Sequence, residues 1–171
     1  MYEKFGQFIE GKWQQSSDEK TYEVINPATE EVLGHASKAT PADVDKALKS
    51  AEKGLEVWKK TSPWKRSSVI RKIADLIRAK QDVLAKWLTL EVGKPFAEGK
   101  GEVGATADIF EWNSEETKRI YGQTVESRFE DTRIHVYYQP IGVVAAMSPW
   151  NFPLVLSGRK ISTALAAGCS V

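Results

Sequence analysis

The stretch Gly142-Val-Val-Ala-Ala-Met-Ser-Pro-Trp-Asn-Phe-Pro-Leu154 decides how the chain is read. Gly142 to Met147 is a short apolar run, bounded by Pro140 before and Ser148-Pro149 after. An apolar run without polar alternation predicts a buried strand of a parallel sheet, covered on both faces. Ser148 to Asn151 is the turn. Phe152-Pro153 opens a helical pattern that runs to Ala167, and Gly168 is its C-terminal stop. Strand, turn and helix make the first half of a βαβ unit, in which ligands bind at the carboxyl end of the strand. Trp150 and Asn151 are therefore predicted to sit at a ligand site.

Asn151 has two readings. Asparagine is a favoured N-cap, and this one stands just before a helix with proline in its first turn. Yet an aromatic, an amide and a second aromatic together on a loop at a strand end exceed what a cap needs. A side-chain amide in that place can donate to a developing oxyanion.

These residues carry a family resemblance. Ser148 to Leu154, followed by Arg159-Lys160 and Ala164-Leu-Ala-Ala-Gly-Cys-Ser-Val171, resembles the NAD(P)-dependent aldehyde dehydrogenase superfamily. Asn26-Pro-Ala-Thr-Glu-Glu31 resembles its early turn, and Glu91-Val-Gly-Lys-Pro95 its Glu-Thr-Gly-Lys-Pro segment. The likeness runs from about Phe8 to Val171.

The resemblance implies an α/β fold: a Rossmann-like parallel sheet with flanking helices, here its incomplete N-terminal part, plus a β oligomerisation arm. It divides the chain into residues 1–121, the N-terminal hairpin and helices of the cofactor-binding domain; 122–139, the arm; and 140–171, the first strand, turn and helix of the NAD(P)-binding domain. It implies oxidation of an aldehyde to a carboxylic acid, with NAD or NADP as cofactor. In the family a cysteine thiolate attacks the aldehyde, hydride passes to the cofactor, and the thioester is hydrolysed. By residue-for-residue match, Asn151 is the catalytic oxyanion donor. Met147, Ser148, Pro149, Trp150 and Asn151 border the nicotinamide half of the cofactor.

Phe152, Leu156 and Arg159 are spaced by four and three and so share a helix face. In the family that face lines the substrate tunnel. An arginine there suits a substrate carboxylate, because its planar fork binds bidentately. Family members acting on succinate semialdehyde have a similar Arg-Lys pair, so a carboxylated or semialdehyde substrate is expected. The plainer reading is a surface arginine followed by lysine. The family's nucleophilic Cys, general-base Glu and Gly-rich phosphate turn lie downstream of the part matched here. The chain alone is therefore expected to be inactive. The alternative function is a truncated, non-catalytic chain that serves as an assembly or binding module.

Composition sets bounds. The 171 residues suit about one domain. The hydrophobic share of 42% and charged share of 27% are those of an ordinary soluble globular protein. Twenty-four basic and 23 acidic residues leave a net charge of +1, which gives no electrostatic case for nucleic acid or an anionic membrane. One cysteine excludes an internal disulfide and a cysteine-based metal cluster. Met1-Tyr-Glu-Lys4 lacks the pattern of a signal peptide, and no apolar run reaches membrane-spanning length, so a cytoplasmic location is expected.

The remaining elements read in order. Gln7 to Gln14 is a hairpin turning at Glu10-Gly-Lys12, and Tyr22 to Ile25 and Glu31 to Ser37 are short strands. Thr40-Pro-Ala-Asp43 starts a helix carrying Val44, Leu48, Ala51, Leu55 and Trp58. Ser62-Pro63 starts another, with a single stripe from Val69 to Leu88; both helices are expected to pack as core. Lys65, Arg66, Ser67, Ser68, Arg71, Lys72 and Arg78 are read as a solvated face rather than a phosphate site. Gly99-Lys-Gly-Glu-Val-Gly104 matches G-x-G-x-x-G as a string, but no strand precedes it. It is rejected as a cofactor loop and assigned to close helix packing. Arg133 to Gln139 alternates and reads as a strand outside the parallel sheet. By resemblance, residues 122–139 pair subunits into a homo-oligomer. His35 and His135 stand alone, short of a metal site. Cys169, with no His or carboxylate near it in sequence, is read as a buried apolar side chain.

Overall fold

The computed structural model describes residues 6–171; the reading of Met1 to Lys4 lies outside them. The architecture is α/β. Among the described residues five α-helices follow the local signals: α1 (Pro41–Trp58), α2 (Pro63–Ala79), α3 (Gln81–Val92), α4 (Phe96–Glu116) and α5 (Pro153–Ala167). Thr40 and Asp43 form a complete capping box at α1, and Ser62 accepts from the Lys65 amide at α2. Proline opens α1, α2 and α5. Gly168 ends α5 at φ 91°, in the left-handed region that a side chain would resist.

α4 is the central helix, because both core clusters are built on it. On one side Phe110 joins Ile70 and Ala74 of α2 and Ala166 of α5 in the larger core cluster. On the other, Val103 packs with Ala85 and Leu88 of α3, and Leu154 of α5 leans against them. Close approach depends on small residues. A Cβ at Gly99 would stand 3.0 Å from the Ala85 carbonyl oxygen, and one at Gly158 would stand 2.7 Å from Thr106 Cγ2. The whole Gly99–Gly104 string lies inside α4, which removes any phosphate-loop geometry.

Among the described residues six strands form three antiparallel pairs. β1 (Gln7–Ile9) pairs with β2 (Lys12–Gln14) through a turn in which Glu10 and Gly11 both have positive φ. The Phe8 and Trp13 rings face each other across it at 5.1 Å. β3 (Thr21–Ile25) pairs with β4 (Val32–Ser37), and β5 (Gln123–Glu126) with β6 (Arg133–Val136). The β5–β6 hairpin is exposed along its length.

Three sequence expectations are corrected. Residues 142–147 form no continuous strand. They make one parallel bridge, Val143 to Ser170, and the Val144 amide donates to the Ser170 carbonyl at 2.9 Å. A strand needs a neighbour along its length, and only Ser170 runs beside this segment. The stripe from Val69 to Leu88 is carried by two helices, α2 and α3, that bend at Lys80 (φ −109°, ψ 17°) so that α3 can reach α4. The basic face of α2 is not simply solvated. Arg66 and Ser67 are buried. Arg71 pairs with Glu111 at 2.8 Å and Arg78 with Asp108 at 2.7 Å, so this face is matched to acids on α4. On α1, Val44 and Leu48 stay about half-exposed, and the helix is tied to α5 by the Trp58 indole N–H donating to the Leu165 carbonyl at 2.9 Å.

Candidate functional site

The site is the turn that joins the Val143 bridge to α5. It forms because Pro149 and Pro153 bracket Trp150, Asn151 and Phe152, which cannot continue a ladder or start a helix turn freely. Phe152, not Asn151, is the N-cap of α5 (φ −137°, ψ 65°), and its side chain makes no capping hydrogen bond. The capping reading of Asn151 is thereby set aside. Asn151 is exposed, and among the described residues nothing engages its side-chain amide. Met147 and Trp150 flank it at 82% and 79% exposure. Ser148 Oγ accepts from Lys160 Nζ at 3.3 Å. Pro149 is exposed.

The helix α5 that lacks a cap of its own receives one from α4. Glu102, with its side chain wholly buried, accepts from the Leu154 and Val155 amides at 2.9 and 3.1 Å through one carboxylate oxygen. Its other oxygen accepts from Lys94 Nζ in a buried ion pair. Lys94 Nζ also donates to the Asn151 carbonyl at 3.0 Å and lies 4.0 Å from the centre of the Phe152 ring. A carboxylate at a helix N-terminus is favoured by both the open amides and the helix dipole. The ammonium over an aromatic face adds a cation–π attraction. The result is a charged cluster, Lys94–Glu102, beneath the turn.

Neither residue stands out as a site residue in the sequence. Lys94 entered only as part of the Glu-Val-Gly-Lys-Pro likeness, and Glu102 only as a letter in the rejected glycine string. The available signal was periodic. Glu102 falls on the α4 face shared by Gly99, Val103, Thr106 and Phe110, all buried. An acid on such a face requires a partner.

The remaining site residues are distributed. Leu156 is half-buried, with its amide donating to the Phe152 carbonyl at 3.1 Å. Arg159 is exposed and opens onto a shallow depression with Ile141, Val144, Thr163 and Ala167. Pro153 and Leu154 border a different cleft, with Leu84, Trp87, Leu88 and Glu91. The structure thus brings Phe152 and Asn151 together over Lys94 and leaves Arg159 on another part of α5. Cys169 is buried at 3% exposure. His35 and His135 are exposed and apart, and no group of three metal-ligating side chains occurs among the described residues. No described helix is long and apolar enough to cross a membrane.

Comparison with known proteins places this geometry. Residues 13–171 match the model of the aldehyde dehydrogenase family. A succinate semialdehyde dehydrogenase of Acinetobacter baylyi is 44% identical over 94% of this chain and 33% of its own length. A glutarate-semialdehyde dehydrogenase of Pseudomonas aeruginosa is 43% identical over 96% of the chain and 34% of its own. Among solved structures, an NADP-dependent enzyme of E. coli superposes with a TM-score of 0.93 at 41% identity, over 95% of this chain and 34% of that one. Betaine aldehyde dehydrogenase of Staphylococcus aureus, in complex with NAD+, gives 0.94 at 31% identity, over 98% and 34%. The chain spans about a third of the length of the curated relatives it matches. With the family match spanning residues 13–171 and the fold superposing on solved members, the chain belongs to the aldehyde dehydrogenase family.

Proposed function

We propose that this sequence supplies the oxyanion-binding and nicotinamide-bordering segment of an enzyme that oxidises an aldehyde to its carboxylic acid with NAD or NADP. One observation carries the reading: Asn151 presents an amide that no described residue engages, on a turn whose backbone is held from below by Lys94. A preorganised amide donor of that kind stabilises a developing oxyanion and contributes about 10²–10³-fold to rate.

The residues fit a nicotinamide cofactor at one end. Met147 and Trp150 expose apolar surface at the end of the Val143 bridge, where α/β folds take such ligands. The cofactor, when bound, accepts hydride from the substrate carbon. Ser148, Pro149 and Asn151 complete the border of that half-site. The family's nucleophile and general base match no residue of this chain, and the buried Cys169 does not stand in for them. Phe152 and Leu156 form the substrate side near the turn, and Arg159, further along α5, is the partner of a substrate carboxylate; the semialdehyde dehydrogenases among the relatives support that choice.

Two substitutions in the whole enzyme test the reading. Asn151→Ala should lower kcat/KM by about 10²–10³-fold with little change in cofactor binding; an unchanged kcat/KM overturns the oxyanion role. Arg159→Leu should raise KM for succinate semialdehyde far more than for a neutral aldehyde, and equal effects sink the carboxylate partner.

A second reading is favoured by the β5–β6 hairpin, which exposes Tyr137, Tyr138 and Ile141 beside it. Residues 122–139 would pair subunits into a homo-oligomer, and the 171-residue chain alone would act in assembly without turnover. Sedimentation of the purified chain, together with an assay for aldehyde-dependent NAD(P) reduction, separates the two. Turnover by this chain alone refutes its expected inactivity.

A further inference from the structure

We propose that Lys94 and Glu102 are the positioning residues of the oxyanion-binding turn. This inference rests on the assignment of Asn151 made above. The geometry points to the pair because the turn has few other anchors. Its N-cap makes no side-chain bond, and Met147, Trp150 and Asn151 all face solvent. Lys94 fixes the turn at one end, through the Asn151 carbonyl at 3.0 Å and the Phe152 ring at 4.0 Å. Glu102 fixes the other end, through the Leu154 and Val155 amides at 2.9 and 3.1 Å. The two anchors are joined to each other by the buried ion pair, so they cannot shift independently.

The chemistry of the pair suits positioning. An ammonium has three donors that can diverge, and here it meets a carboxylate, a carbonyl and a ring face. Each hydrogen bond is charge-assisted, and the ion pair that joins the anchors is buried, so the cluster is stronger and narrower in geometry than a surface contact. Neither residue reaches the side-chain amide of Asn151. Both act through the backbone that carries it. A displacement of about 1 Å in a reacting constellation costs on the order of 10²-fold in rate.

The test is a double-mutant cycle in the whole enzyme. Lys94→Met keeps the apolar stem beside Phe152 and leaves Glu102 with its two amide donors, so the fold keeps that cap. On the parent background it should lower kcat about 10²-fold, by loss of alignment, while KM for the cofactor changes less than about threefold. On the Asn151→Ala background the same substitution should cost less than about threefold, since the amide it positions is gone. Glu102→Gln, which keeps the acceptor for Leu154 and Val155, should show the same non-additivity with a smaller loss. If Lys94→Met costs equally on both backgrounds, or nothing on the parent while Asn151→Ala is impaired, the positioning role is wrong and the oxyanion assignment stands. If Asn151→Ala is itself silent, the assignment of the turn has failed and the positioning role falls with it.

Discussion

Replacing Gly158 by alanine sets two opposing effects against each other at the α4–α5 contact. Alanine in a helix interior gains about 1 kcal/mol over glycine, through lower backbone entropy and better helix propensity. The new methyl, however, would stand 2.7 Å from Thr106 Cγ2 and 3.2 Å from Phe110 Cε2. Carbon pairs settle near 3.5–4.0 Å, so the helices must part by about 1 Å. Neither neighbour can yield cheaply. Thr106 is fully buried with its hydroxyl donating to the Glu102 carbonyl at 2.8 Å, and Phe110 is in the core cluster. Parting the helices also stretches the Asn113–Ser162 hydrogen bond, now 2.9 Å, and the two amide bonds to Glu102. Overpacking costs about 1–3 kcal/mol, and a weakened buried hydrogen bond adds about 1 kcal/mol. The net loss is then about 2 kcal/mol. Gly101→Ala is the control, since a Cβ there meets nothing within 4 Å and should stabilise by about 1 kcal/mol. Urea titrations with a shared slope would read a difference of about 3 kcal/mol between the two variants. Thr106→Ser removes the clashing methyl and keeps the hydroxyl, so it should recover about 1 kcal/mol in the Gly158→Ala background. If Gly158→Ala were as stable as Gly101→Ala, helix propensity would outweigh packing, and the close α4–α5 approach would be refuted.

Two further outcomes are expected. Glu102→Ala should cost about 3–5 kcal/mol in chemical denaturation, because it leaves the Lys94 ammonium buried without its carboxylate. Glu102→Gln, which still accepts from two amides, should cost about 1.5–3 kcal/mol; a loss below about 1 kcal/mol for alanine, or a worse glutamine, contradicts the cluster. Asp43 is held at a pKa of about 2, chiefly by the Thr40 amide and also by the Ser17 amide and the Thr40 hydroxyl. A depressed folded value means that its stabilisation is present above the unfolded value near 4 and lost as pH falls toward 2. The stability gap between the protein and Asp43→Asn should therefore shrink between about pH 5 and pH 2, and a constant gap would show that Asp43 does not carry the acid sensitivity.

What could be read in the residues alone is local. Thr40-Pro41, Ser62-Pro63 and Gly168 mark helix ends because caps satisfy backbone groups within a few residues. The Glu10-Gly11 turn marks a hairpin for the same reason, and the alternation of Arg133 to Gln139 marks a strand, of which Arg133–Val136 forms, paired with Gln123–Glu126. The Ser148–Pro153 stretch identifies the family because its composition is unusual and its spacing short. What the sequence could not show depends on residues far apart. Residues 142–147 have an apolar run in either case, but a strand forms only where a partner lies beside it, and here that is Ser170. The bend at Lys80 is set by the need of α3 to reach α4. The basic residues of α2 look solvated until the acids of α4 are placed against them. Above all, Lys94 and Glu102 read as two unrelated charges. Only the packing of α4 beneath the α5 turn brings an ammonium, a carboxylate and two open amides within hydrogen-bonding distance. The chain by itself thus determined most helix ends, the first hairpin and the family. The tertiary structure decided what holds Asn151 in place, because a buried charge is stable only where its partners converge from separate elements.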